Sequence, residues 1–199
     1  MISLAEWPFA IPLGGFRAIV ADPGWPYCTF SDKGKERSAD NHYKCLSLGE
    51  IAALPVRELA AKDCHLFLWV TGPCLVQGMH IPVIERWGFK PSSDVFVWLK
   101  VKKGLGLTEV TENVFTMGLG HTTRKNAEYV VLGRRGSPRR KTKAMHQLIL
   151  APRREHSRKP DKFFERVEAY CEGPYVELFA RQSRPNWTSW GDELTKFGA

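Results

Sequence analysis

Apolar positions in this chain fall in short runs of strand length, separated by polar segments or by stretches with helical spacing. The first run, Phe16 to Ala21, is rich in β-formers and predicts a buried strand of a parallel sheet. Thr29 to Asn41 is rich in Ser, Asp, Lys and Gly and predicts a loop. Ser47-x-x-Glu50 has the form of a capping box and predicts a helix, interrupted near Pro55 and resumed to about Ala61. Cys64 to Val70 predicts the next strand, Leu75 to Trp87 a helix distorted at Pro82, and Asp94 to Lys100 a third strand. Lys102 to Lys125 is glycine-containing, has no clear period and predicts a second long loop. Ala127 to Leu132 and Gln147 to Leu150 predict further strands. Lys159-Pro160 opens a helix that turns Phe163, Phe164, Val167 and Tyr170 to one side, and Tyr175 to Phe179 is the last strong strand. Strands alternating with helices imply a Rossmann-like three-layer α/β domain.

Composition narrows this picture. With 199 residues and 43% hydrophobic content, residues 1–199 are expected to form one domain with a sizeable core. The formal net charge of +8 favours a polyanionic partner, nucleic acid foremost. Met1 to Gly15 lacks the basic-then-apolar pattern of a secretory leader, and no apolar stretch is long enough to span a bilayer. Five cysteines, odd in number and without C-x-x-C spacing, read as reduced thiols of a cytoplasmic protein, and no metal site is expected. His65 opens an apolar strand and reads as a core residue, while His121, His146 and His156 lack ligand spacing.

The candidate chemistry sits where the first strand ends. Asp22 falls at the carboxyl end of that strand, the edge at which open α/β sheets bind ligands. Pro23 holds Asp22 extended, Gly24 lets the chain turn closely, and Trp25 and Tyr27 offer flat faces beside the carboxylate. A planar substrate with an exocyclic amine suits this set, since the ring can stack and the amine can donate to the carboxylate. An ordinary strand-turn with a capping Asp and a buried Trp is the alternative.

Asp22-Pro23-Gly24-Trp25 resembles the Asp-Pro-Pro-Trp signature of the MT-A type adenine-N6 methyltransferases. Further segments agree in order: His65 to Gly72, Trp87-Gly88-Phe89, Val97 to Lys100, Arg124 with Asn126 to Tyr129, Ser157 to Asp161, Val176 to Arg181, and Pro185-Asn186-Trp187 with Trp190-Gly191. The resemblance runs from about Phe16 to Glu193. It implies an S-adenosylmethionine-dependent methyltransferase fold with the permuted, β-group motif order, because the Asp-Pro segment comes first and the donor segment last. It also implies roles. Asp22 and the Pro23 carbonyl would accept the two hydrogens of an adenine N6 amine, favouring a pyramidal nitrogen whose lone pair is free for attack. Trp25, Tyr27 and Tyr43 would pack against the base, although Tyr43 also reads as a loop aromatic covering the core. Arg124 and Asn126 would position the target nucleotide. Lys159 would bind the donor's carboxylate, with Asp22 close to the donor, and Glu177, Arg181, Asp192 and Glu193 would meet its ribose and adenine. Asp192 and Glu193 stand where the family often carries Asn and a following Gln or Glu.

Arg134, Arg135, Arg139, Arg140, Lys141, Lys143, Arg153, Arg154 and Arg158 form the densest basic stretch and predict contact with a phosphate backbone. The expected activity is methyl transfer to adenine N6 in DNA, with S-adenosylmethionine as donor. An RNA adenosine-N6 methyltransferase and a catalytically silent nucleic-acid-binding partner subunit remain as alternatives. A homodimer or pairing with an unlike methyltransferase-like subunit is equally open. Gly24 departs from the family signature and is expected to loosen the turn that holds Asp22.

Overall fold

The computed structural model describes residues 7–26, 46–104, 114–116, 118, 122–155 and 157–197. Seven strands form one sheet: β1 (Phe16–Ala21), β2 (Ala60–Val70), β3 (Lys90–Val101), β4 (Ala127–Arg135), β5 (Leu148–Pro152), β6 (Tyr175–Leu178) and β7 (Trp187–Trp190). Their order is β5-β3-β4-β2-β1-β6-β7, and β1 lies parallel between β2 and β6. Only β4 runs against its neighbours, antiparallel to both β2 and β3. The amino-terminal end of β4 therefore lies beside the carboxyl ends of β2 and β3, with Tyr129 opposite Val70 and Ala127 opposite Leu99.

Successive strand residues point to opposite faces, so one sheet supplies two cores. Ile19, Ala21, Leu66, Leu68 and Val70 pack with Ile51, Val56, Leu59, Val83 and Ile84 from the helices α1 (Leu48–Ala53), α2 (Val56–Leu59) and α4 (His80–Arg86). Ala18, Val20, Phe67 and Trp69 pack on the other side with Phe163, Phe164, Val167 and Tyr170 of α5 (Asp161–Tyr170). A short α3 (Gly72–Val76) completes the first layer through Cys74. This is the Rossmann-like three-layer arrangement, with near-continuous apolar central strands as expected when both faces are covered.

Local chemistry explains most boundaries. Ser47 caps α1 by accepting from the Glu50 amide at 3.2 Å, and the Glu50 carboxylate accepts from the Ser47 amide at 2.8 Å. α5 opens at Pro160 and turns its aromatic side inward as predicted. Gly15, at φ +83°, brings the chain so close to β2 that a Cβ would lie 2.7 Å from the Ala61 nitrogen.

Elsewhere tertiary pairing moves the limits. The segment from Leu75 to Trp87 is broken at Gly78 (φ 69°), not at Pro82. Pro82 sits in the first turn of α4, where its missing N–H interrupts no helical bond. β2 begins at Ala60, four residues ahead of the expected start, because Ala60 pairs with Phe16 of β1. β3 extends back to Lys90 through exposed polar residues and Pro91, held by pairing with β4 across two register shifts. β7 was absent from the predicted elements. Its four residues include two polar positions, and it is held by parallel pairing to β6 and by Trp187 stacked on Tyr175 at 4.8 Å.

Candidate active site

The carboxyl edge of the sheet collects charged groups from four segments. Asp22 follows β1, and its amide donates to the Leu178 carbonyl at the end of β6 at 3.4 Å. Lys159 lies just ahead of α5, Glu128 is the second residue of β4, and Glu177 lies within β6. The Lys159 ammonium stands 3.1 Å from Asp22 Oδ2 and 2.8 Å from Glu128 Oε2, above the Trp69 ring at 4.8 Å from its centroid. Glu128 Oε1 accepts from Lys100, whose ammonium lies 5.0 Å from the Trp98 ring centroid. Asp22, Lys159, Glu128 and Lys100 thus form a chain of alternating charge.

This chain treats its two carboxylates differently. Burial raises the Asp22 pKa above the ordinary value of 3.8, opposed by Lys159 and assisted by the negative charge of Glu128. Burial pushes Glu128 the same way, but Lys159 and Lys100 outweigh it and hold the carboxyl at about 2. For Lys159, burial lowers the pKa while Asp22 and Glu128 more than compensate, so the ammonium stays protonated. The Lys159 side chain is 11% exposed, a degree of burial that unpaired lysines rarely reach.

Beside this chain lies an open cleft whose lining includes Asp22, Lys159, Glu177, Arg181, Arg158 and Arg184. Glu177 is 8% exposed, and burial raises its pKa to about 7 against the opposing pull of Arg184, with Asp22 adding to the rise. Its Oε2 atom is buried without a hydrogen bond, since Arg184 Nε comes no nearer than 3.5 Å. Arg184 is held over the Phe164 ring at 3.6 Å and paired to Asp161 at 2.9 Å. Arg181 is paired to Glu193 at 2.5 Å.

The structure therefore brings Asp22, Lys159, Glu177 and Arg181 to one cleft. Glu193 stands behind Arg181 and also pairs with Lys196, while Asp192 is exposed and does not line the cleft. Arg124 is exposed ahead of β4, and Asn126 is half-buried with its carbonyl accepting from the Lys100 amide at 2.9 Å. Tyr27, Tyr43 and the loop Thr29 to Asn41 lie outside the described residues, as does much of Lys102 to Lys125. Among the described residues no His, Cys, Asp or Glu cluster could hold a metal ion.

Trp25 differs from its expected stacking role. It is 5% exposed, belongs to the core beneath the sheet edge, and donates its indole N–H to the Trp69 carbonyl at 2.8 Å. In this conformation it braces the Asp22 turn and offers no open face to a base. The Pro23 carbonyl accepts from the Trp25 amide at 2.9 Å, which leaves one lone pair for a further donor.

The basic stretch is also divided. Arg134 pairs in register with His65 and Lys90, at the opposite end of β4 from Glu128. Lys141 bonds to the Tyr170 and Glu168 carbonyls near the end of α5. Arg153 follows Pro152, which pairs with Val101 at the carboxyl edge. Nine residues of β4 set the two groups about 25 Å apart, so the basic stretch divides between the two edges of the sheet. Glu128, Lys100 and Arg184 escaped the sequence reading as site residues. Glu128 and Lys100 lay inside segments noted only for their order, and nothing local announces that two distant strands will place them together.

A Rossmann-like sheet with an Asp-Pro turn over a polar cleft at its carboxyl edge is an arrangement that binds ligands at the strand ends. The chain belongs to the MT-A70 family, whose profile matches residues 16–193. It is 28% identical over 202 residues to the type II methyltransferase M.MunI of Mycoplasma sp, covering 92% of this chain and 80% of that protein. It is 34% identical to the human N(6)-adenine-specific methyltransferase METTL4, across 92% of this chain and 38% of that one. Similarity to the N6-methyladenosine RNA methyltransferase MTA1 of Cryphonectria parasitica is 30%, over 95% of this chain and 54% of the relative. The chain thus spans most of the Mycoplasma protein but about half or less of these two eukaryotic relatives.

Proposed function

We propose that the chain transfers a methyl group from S-adenosylmethionine to the N6 amine of adenine in DNA. The observation that carries this reading is the cleft itself, with the Asp22–Lys159 pair on one side and, on the other, Glu177, whose Oε2 faces Arg184 at 3.5 Å without a hydrogen bond. These residues fit the donor: Lys159 complements a carboxylate, and Glu177 Oε2 is a buried acceptor suited to a ribose hydroxyl, with Arg181 beside it. When bound, the donor supplies an electrophilic methyl on a sulfonium centre. Asp22 and the free lone pair of the Pro23 carbonyl accept the two amine hydrogens and hold the nitrogen lone pair toward the cleft. Formation of the N–CH3 bond would break the S–CH3 bond, leaving the donor as a neutral thioether, and the amine would give up one proton. Asp22 stands ready to receive it because burial has made its carboxylate more basic than usual.

DNA is favoured because M.MunI, named a type II methyltransferase, is matched over 80% of its length. An RNA substrate is the second reading, favoured by the similarity to MTA1. Residues 1–199 are read as one catalytic domain in a cytoplasmic setting. Cys64, Cys74 and Cys171 are free and buried, and no helix among the described residues is long and apolar enough to cross a membrane.

The test incubates the protein with methyl-labelled S-adenosylmethionine and, in separate arms, duplex DNA, single-stranded DNA and RNA, followed by mass spectrometry of the nucleosides. N6-methyladenine in the DNA arms, reduced at least ~10³-fold in Asp22→Ala while donor binding persists, is the expected result. Product in RNA alone moves the substrate to RNA. Donor binding without product in any arm points to a missing partner or a narrow target motif, and absence of donor binding to a catalytically silent nucleic-acid-binding subunit.

A further inference from the structure

Lys159 serves two carboxylates at once, so its position depends on how well each is satisfied elsewhere. Glu128 is satisfied from a third strand, since Lys100 of β3 takes Oε1 and leaves only Oε2 for Lys159. Lys100 itself is well fixed. Its carbonyl accepts from the Thr116 hydroxyl at 3.1 Å, its amide donates to Asn126, and its ammonium lies against the Trp98 indole. That indole is anchored in turn by donation to the Ala151 carbonyl at 2.9 Å and packs edge-on to Trp69, centroids 6.3 Å apart. The two ammoniums therefore rest on two indoles locked at right angles, with Glu128 between them.

Resting on the proposed role of Asp22, we infer that Lys100 is a positioning residue that keeps Lys159 available to Asp22 and the donor by neutralising Glu128 from the far side. Lys100 does not line the cleft. With Lys100 present, two ammoniums balance two carboxylates. Without it, Glu128 and Asp22 compete for one buried ammonium, and Lys159 moves toward Glu128, already its nearer partner. Asp22 then keeps its burial but loses its counter-charge, and its proton affinity rises. The other charged groups facing Asp22 are Arg181, beyond β6, which favours the ionised form, and Glu177, within β6, which opposes it.

The experiment is Lys100→Met, read by the pH dependence of methyl transfer, by S-adenosylmethionine affinity in calorimetry, and by the Asp22 carboxyl titration in ¹³C-aspartate NMR. The acid limb of the rate profile and the NMR titration should both move up by about one pH unit. Donor affinity should fall several-fold. Lys100→Arg should restore both. The double variant Lys100→Met/Glu128→Gln, which removes the competing carboxylate with its cation, should return the Asp22 titration close to the wild-type value. An unchanged Asp22 titration in a folded Lys100→Met protein overturns the inference, as does failure of the double variant to reverse the shift. The NMR readout needs no turnover, so an inactive wild-type protein would defeat the proposed function while leaving this inference separately testable.

Discussion

The two ends of strand β4 carry similar chemistry in opposite circumstances. At the catalytic end, Lys159 and Lys100 are largely withdrawn from water, laid on indole rings and paired to Glu128. At the far end, Arg134, Arg139, Arg140 and Lys143 are exposed. The nearby Arg135 donates to the backbone carbonyls of Arg57 and Ala60, and Lys141 to that of Glu168. Charge density along the chain is higher at the far end, yet the consequences of charge are greater at the catalytic end. Buried ions interact strongly because solvent does not screen them, and each depends on its partner to offset desolvation. Exposed cations contribute mainly a diffuse field.

Three experiments sharpen this contrast. The largest effect is expected for Lys159→Met, which leaves Asp22 and Glu128 without the ammonium between them. Donor affinity should fall by about 30-fold or more, the scale of removing one member of a buried charge pair. Calorimetry on a variant shown to be folded by circular dichroism checks it, and a loss below threefold would return Lys159 to a structural role.

An intermediate effect is expected in acid. A carboxyl whose pKa falls on folding stabilises the native state fully above its unfolded value and loses that contribution as pH falls through the folded value. For Glu128 the window runs from 4.5 down to about 2. Wild type should lose on the order of 2 kcal/mol across it that Glu128→Gln does not lose. Asp22 titrates in both proteins, with a lower proton affinity in the variant because the Glu128 charge is gone, so the difference between their denaturation curves reports the coupled pair.

The smallest effect belongs to the far end. Replacing Arg139, Arg140 and Lys143 together by Ser should change duplex affinity less than about twofold. Arg153→Ser at the carboxyl edge should weaken binding more and lower the salt slope by about one ion. Fluorescence anisotropy over a salt series measures both. A larger loss from the triple variant would mean that nucleic acid reaches around to the opposite edge of the sheet.

Much of the fold was legible because it rests on local rules. The Ser47 capping box, the aromatic face from Phe163 to Tyr170 and the apolar run Phe16 to Ala21 each declare their element within a few residues. β7 and the first half of β3 were not legible, since partners elsewhere in the chain stabilise them against a weak local pattern. At the site, the Asp-Pro turn stood out by itself, and resemblance added Lys159, Glu177 and Arg181. Trp25 reads alike as a stacking ring or a core ring until the Trp69 carbonyl is seen to accept its N–H.

The sequence by itself determined the alternation of elements, the place of Asp22 at a strand end, the family, and the excess of positive charge. These follow from periodicity, turn chemistry and composition, all of which are local or additive. The tertiary structure alone decided which charges face one another. Reversal of β4 carries Glu128 to the edge where β1, β3 and the start of α5 deliver Asp22, Lys100 and Lys159, and sends Arg134 to the other. Coulomb interaction depends on distance through space and on burial, and neither is a property of position along the chain.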